Sequence, residues 1–228
     1  MVGRADAPER DARTRCLGAP PGRGRCPRTR DTLGSMPRFL HLSALVVAVL
    51  VAVACSATGQ AASFDPGGPC TTDGRAPGAY PELEALVPQK FLDAAPERLD
   101  SGRNCTAANL GSLTQRGINE VRFAGGTWTF GAERAAVLAV FRTAGLDADS
   151  LAAFYAQSAQ AAPRTSVVAQ SAPMIAGRAG HRIDTKTGER LQTVVTWPGT
   201  AADTVNVVIT NDLPDARIQD AIAAYEGR

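Results

Sequence analysis

The stretch LQTVVTWPGTAADTVNVVIT, residues 191–210, decides the fold. Its two halves, 191–197 and 204–210, are strand-length runs rich in Val, Ile, Thr and Trp, with Pro198-Gly199 between them. β-Branched and aromatic residues suit a pleated chain and Pro-Gly breaks it, so the stretch reads as two neighbouring strands. Working towards the amino terminus, residues 166–172 and 178–184 read as two more strands, and Gly188 marks the loop before 191. Residues 135–141 form a nearly continuous apolar run of strand length, a candidate central strand. Residues 120–123 and 127–130 alternate, and Gly125-Gly126 between them suits a hairpin or a bulge.

Helices flank these strands. Residues 147–162 are the clearest case: Asp147 or Asp149 can cap the start, Leu151, Phe154, Tyr155, Ala159 and Ala162 form one stripe, and Pro163 stops it. A short helix is expected over 81–87, with Pro81 in its first turn, and another over 106–115. The last helix begins near Pro214, with Ile218, Ala221, Ile222 and Tyr225 at helical spacing. Runs of strands joined by short loops favour an antiparallel sheet. The expected fold is a two-layer α+β domain over residues 80–228, a mainly antiparallel sheet with helices packed on one face.

The amino-terminal part has a different character. Residues 1–35 hold eight arginines against four acids and show no apolar periodicity, so they cannot build a core. They read as an extension ahead of the true start at Met36; a basic arm starting at Met1 is the alternative. Residues 36–54 read as a signal peptide: Met36 and Arg38 precede the apolar run 39–54, which ends at Cys55. The whole chain is formally +2; residues 1–35 contribute +4 and Arg38 +1, so residues 55–228 carry −3. A mildly acidic mature chain lacks the electrostatic driver for nucleic-acid binding.

The sequence Val51-Ala52-Val53-Ala54-Cys55 resembles the lipobox of bacterial lipoproteins. That resemblance implies cleavage before Cys55, a diacylglyceryl group on its thiol, and residence on the extracytoplasmic face of a membrane in the cell envelope. Ala52 and Ala54 also fit the small-x-small pattern of ordinary signal peptidase, which would release a secreted protein; an uncleaved anchor is the third reading, although the run is short of a full span. Residues 55–79 are small, polar and rich in Gly and Pro, and read as a flexible tether. Cys16 and Cys26 fall in the doubtful extension and Cys55 is the lipid site, which leaves Cys70 and Cys105 for one disulfide in an oxidising compartment.

Chemistry is sparse. His181 is the only histidine beyond the signal peptide. A triad needs a base near a nucleophile and a carboxylate to orient it. Asp184 is three residues away and would face the other side of a strand, and Ser112 and Thr187 lie in no nucleophile elbow. Asp147 and Asp149 resemble half a calcium loop but lack its remaining ligands, so capping explains them. Trp128, Phe130 and Trp197 could line an apolar pocket, and core packing is the plainer role. Gly177-Arg178 and Asn211-Asp212-Leu213-Pro214, with the Ala-rich helix after them, resemble uncharacterised secreted bacterial domains, which bring no activity with them. The expected function is a non-enzymatic envelope lipoprotein without cofactor or metal, binding a protein partner or a small apolar ligand; a secreted hydrolase using His181 is the alternative.

Overall fold

The computed structural model describes residues 64–131 and 133–227. The expected extension, signal peptide and lipid site at Cys55 lie outside these residues. Among the described residues there are ten strands: β1 (Gly74–Ala76), β2 (Arg98–Asn104), β3 (Val121–Thr129), β4 (Ala135–Arg142), β5 (Thr165–Ser171), β6 (Met174–Ile175), β7 (Arg178–Ala179), β8 (His181–Thr187), β9 (Arg190–Pro198) and β10 (Thr204–Asn211). The helices are α1 (Pro81–Glu84), α2 (Ala107–Leu110), α3 (Ala148–Ala161) and α4 (Asp215–Ala223), with a 3-10 turn at Gly111–Arg116. Eight strands form one antiparallel sheet in the order β1-β2-β3-β4-β10-β9-β8-β5, and β6 and β7 make a separate small hairpin. The chain is thus α+β, helices laid on a mainly antiparallel sheet, as the sequence led us to expect.

The deciding stretch folds as read. β9 and β10 pair antiparallel from Val205↔Pro198 to Asn211↔Gln192, and the Gly199 N–H donates to the Thr204 carbonyl at 2.8 Å to close the loop. β4 sits centrally between β3 and β10. Side chains alternate across a strand, so each central strand feeds two apolar clusters. Leu138 and Val140 of β4, Val208 of β10 and Val195 and Trp197 of β9 join Ile218, Ala221, Ile222 and Tyr225 of the carboxy-terminal segment and Leu83 of α1. The residues of opposite parity, Ala139, Phe141, Val205, Val207 and Val194, join Leu151 of α3 and Leu110 and Leu113. Helix α3 with the 3-10 turn therefore covers one parity, and α4 with α1 packs against the other. This explains why residues 204–210 are all buried and read as a continuous run rather than an alternating one.

Three expectations change. The pair 120–123 and 127–130 is one strand, because β3 runs unbroken through Gly125 and Gly126. A Cβ on Gly126 would sit 2.7 Å from the Trp128 ring, so this glycine makes room for the indole instead of turning the chain. The segment 178–184 is divided at Gly180, where a Cβ would lie 2.5 Å from Ile175 Cδ1 and 2.8 Å from the Thr196 carbonyl. Residues before it turn back as the β6–β7 hairpin through Ala176 and Gly177, both at positive φ.

The third change concerns residues 64–79, expected within a flexible 55–79 tether. They are folded onto the domain. β1 pairs with β2, the Cys70–Cys105 disulfide ties the segment down, and the Tyr80 N–H donates to Ser101 Oγ at 2.7 Å. Arg103, only 4% exposed, donates through Nη1 to the Gly68 carbonyl at 2.8 Å and through Nη2 to those of Asp65 and Pro69 at 3.1 and 3.0 Å. Its guanidinium also lies 5.6 Å from the Phe64 ring centroid. A Gly/Pro-rich chain that cannot bury its own apolar surface is held because its carbonyls accept the hydrogen bonds of a buried cation in place of water. Among the described residues no helix is long and apolar enough to cross a membrane.

Candidate functional site

The start of α3 borders a recess that Asp149 and His181 help to line. Asp147 caps the helix: Ser150 N–H donates to its Oδ1 at 2.6 Å, and the Ser150 hydroxyl faces the Asp147 N–H at 3.3 Å. The Ser150 bonds hold the Asp147 carboxyl below its ordinary range, burial opposes them, and Arg116 and His181 add to the lowering. Asp149, two residues on, is free of that duty. Its Oδ1 lies 2.6 Å from Nε2 of His181, the first residue of β8. The expected capping role thus belongs to Asp147, and Asp149 holds the histidine.

Between this pair and the carboxy-terminal end of β5 lies a groove of about 390 Å³. Ala152, Ala153 and Ile183 give it an apolar floor, and Gln170, Ser171 and Arg182 stand on its rim. Strand register sorts these residues. Gln170 is opposite Ile183 and Ser171 is opposite Arg182, so Ser171 shares the Arg182 side while His181 follows the parity of Ile183. The hydroxyl and the imidazole therefore project from opposite sides of the sheet. Thr187 is six residues along β8, roughly 20 Å away at strand rise, and its hydroxyl meets that of Thr165 at 2.8 Å. Ser112 lies in the 3-10 turn. Asp184 turns to the other side, as strand parity required, where it takes both an Arg182 contact (3.0 Å) and the Thr193 hydroxyl (2.5 Å). Arg182 continues to Asp215 at 2.8 Å and so ties β8 to α4. The site can bind a hydrogen-bonding group beside an oriented imidazole; Thr196, the cross-strand partner of His181, directs its hydroxyl to the Ala148 carbonyl at 3.3 Å.

The remaining sequence candidates are structural. Cys70 and Cys105 form the expected disulfide. Beside it, Asp73 accepts from the backbone N–H groups of Cys105 and Thr106 (2.5 and 2.9 Å), the Thr106 hydroxyl (2.5 Å) and Asn109 Nδ2 (2.7 Å), and so caps α2 from a distance. Trp128 and Phe130 both pack edge-on against Phe91, and Trp197 packs edge-on against Tyr225 at 5.0 Å. These aromatics fill the core and line neither recess. A second recess, about 100 Å³, is of mixed character, with Met174, Ile175, Val195 and Ile222 beside Arg182 and Gln219. Among the described residues no three His, Cys, Asp or Glu side chains converge as a metal site would require.

Sequence reasoning missed Arg103 and the Asp149–His181 pair. The pair is 32 residues apart and no local spacing signals it. Arg103 sits in a polar run without apolar periodicity. No protein-family model matches this chain, and no curated protein sequence matches it.

Proposed function

We propose that the chain is exported, cut before Cys55, lipidated there, and held on the outer face of a bacterial membrane as a binding domain for a protein partner. The observation that carries the choice of partner is the filling of both apolar clusters. The smaller recess holds about 100 Å³, below the ~300–1,000 Å³ of ordinary small-molecule sites; the groove beside His181, about 390 Å³, reaches that range but is open and polar at its rim. Around His181, Ser171 faces the other side of the sheet and the Thr196 hydroxyl donates to the Ala148 carbonyl, which supports binding over hydrolysis. The disulfide fits an oxidising compartment, and the −3 charge of residues 55–228 gives no pull towards nucleic acid.

Anchoring has a geometric consequence. With Arg103 gripping the carbonyls of residues 65–69, only residues 55–63 separate the lipid from the folded domain. Nine residues reach about 30 Å at most, so the domain works close to the bilayer. Cell fractionation with cross-linking tests the reading. Wild-type protein is expected in the membrane fraction, linked to another protein chain by a short amine cross-linker, and Cys55→Ser is expected to free the domain or leave the precursor uncut. Soluble wild-type protein would overturn the anchoring. A hydrolytic activity abolished by His181→Ala would overturn the binding role.

A further inference from the structure

The groove between α3 and the end of β5, about 390 Å³, is large enough for a small molecule, and the domain uses its polar groups only in part. His181 Nε2 meets Asp149 Oδ1 at 2.6 Å. Among the described residues, His181 Nδ1 and the second Asp149 oxygen have no hydrogen-bond partner. The Gln170 amide has none either; it is exposed and, being opposite Ile183, stands on the same side of the sheet as His181. A carboxylate, an imidazole and an amide thus border one recess, over a floor of Ala152, Ala153 and Ile183.

Charge narrows what can bind there. Of the lining residues only Arg182 carries a permanent positive charge, and its guanidinium is committed to Asp184 at 3.0 Å and Asp215 at 2.8 Å on the opposite side. An anion would meet the Asp149 carboxylate and no free cation. An ammonium would have to compete with His181 for Asp149, and as a donor it cannot serve the Gln170 N–H groups. A hydroxyl both donates and accepts, so neighbouring hydroxyls on one molecule suit all three groups. Peptides are recognised through strand addition or through pockets for their side chains, and two alanines and a buried isoleucine make a floor of methyl groups instead. We infer that this groove binds a neutral saccharide, with the C–H face of a sugar ring on Ala152 and Ala153 and its hydroxyls on Asp149, His181 and Gln170. Because the groove is open, a ring within a longer glycan enters as well as a free one. The inference goes beyond the protein-partner reading and stands without the lipid anchor.

Imidazole NMR on the full chain, purified in a detergent without a sugar headgroup, tests the site. His41 and His181 are the only histidines, so histidine-labelled protein gives at most two imidazole signals and His181→Gln assigns the relevant one. The probes are maltose, cellobiose and di-N-acetylchitobiose, with glucose 6-phosphate as an anion and N-acetyl-trialanine amide as a peptide. At least one disaccharide is expected to shift the His181 signal saturably below about 50 mM, as a few net hydrogen bonds imply. Gln170→Ala, at an exposed strand position, should weaken that binding about three- to tenfold. Ala153→Leu keeps a good helix former in α3 and fills the floor, and should abolish binding. No response to any of the three disaccharides, an equal response to the phosphate or the peptide, or full affinity in either variant would overturn the proposal.

Discussion

Replacing Arg103 by Met tests how the leading segment is held. The side chain is buried, carries a full charge, and meets carbonyl oxygens of Asp65, Gly68 and Pro69 at 2.8–3.1 Å, with Pro66 more distant at 3.5 Å. Three charge-assisted bonds at about 1.5–3 kcal/mol each set an upper bound near 9 kcal/mol. Two effects reduce it. Methionine no longer buries a charge, which relieves several kcal/mol of desolvation. The freed carbonyls can also return to water when residues 64–69 lift away. We expect a net loss of about 2–4 kcal/mol, which at ~2–4 °C per kcal/mol for a domain of this size lowers the melting temperature by roughly 5–15 °C. Arg103→Lys should recover little, because an ammonium cannot fork to several carbonyls. Amide exchange should quicken at Gly67, Gly68 and β1 while β9 and β10 stay protected. A melt within error of wild type, with unchanged exchange at β1, would refute the clamp.

Three further outcomes follow from the packing and the charges. Ile222→Ala removes buried methyl groups from the cluster around Trp197 and should cost about 2–5 kcal/mol in a thermal melt; an unchanged melting temperature would mean that α4 is a docking surface and not core. Reduction of Cys70–Cys105, which are 35 residues apart, should cost about 4 kcal/mol in the chain-entropy model, measured by denaturant titration with and without reductant. Burial pushes the Asp73 carboxyl up, but its hydrogen bonds from Thr106, Cys105 and Asn109 outweigh this and hold it below the ordinary range. Its stabilising contribution is therefore complete above the unfolded value near ~3.9 and is lost as pH falls through the lower folded value. The stability gap between wild type and Asp73→Asn should shrink below about pH 4, and a gap independent of pH down to 2 would count against the assignment.

How far the sequence discloses the fold depends on what buries each element. β9, β10, β4 and α3 bury apolar side chains at regular spacing, and that spacing is visible in the chain. β2 is not legible, because its buried residues are polar. Asp100 is 5% exposed and held by Arg98 at 2.6 Å and Arg75 at 3.7 Å, Ser101 accepts the Tyr80 N–H, and Arg103 grips carbonyls. Each of these depends on a partner far along the chain, so no local pattern betrays the strand. Gly125-Gly126 mislead in the same way: glycine signals a turn, yet at Gly126 it serves the Trp128 ring two residues on. Composition alone made residues 64–79 a tether, and one buried guanidinium reverses that. At the candidate site, strand parity correctly separates His181 from Asp184, whereas Asp149 reaches His181 only through the docking of α3.

The mass of the mature amino-terminal peptide tests the central claim most directly. Protein purified from its native membranes and digested should yield a peptide beginning at Cys55 and heavier than its sequence by a diacylglyceryl group, with or without a further acyl chain. A mature chain that begins elsewhere, or a Cys55 peptide of unmodified mass, would contradict an account built on lipid anchoring.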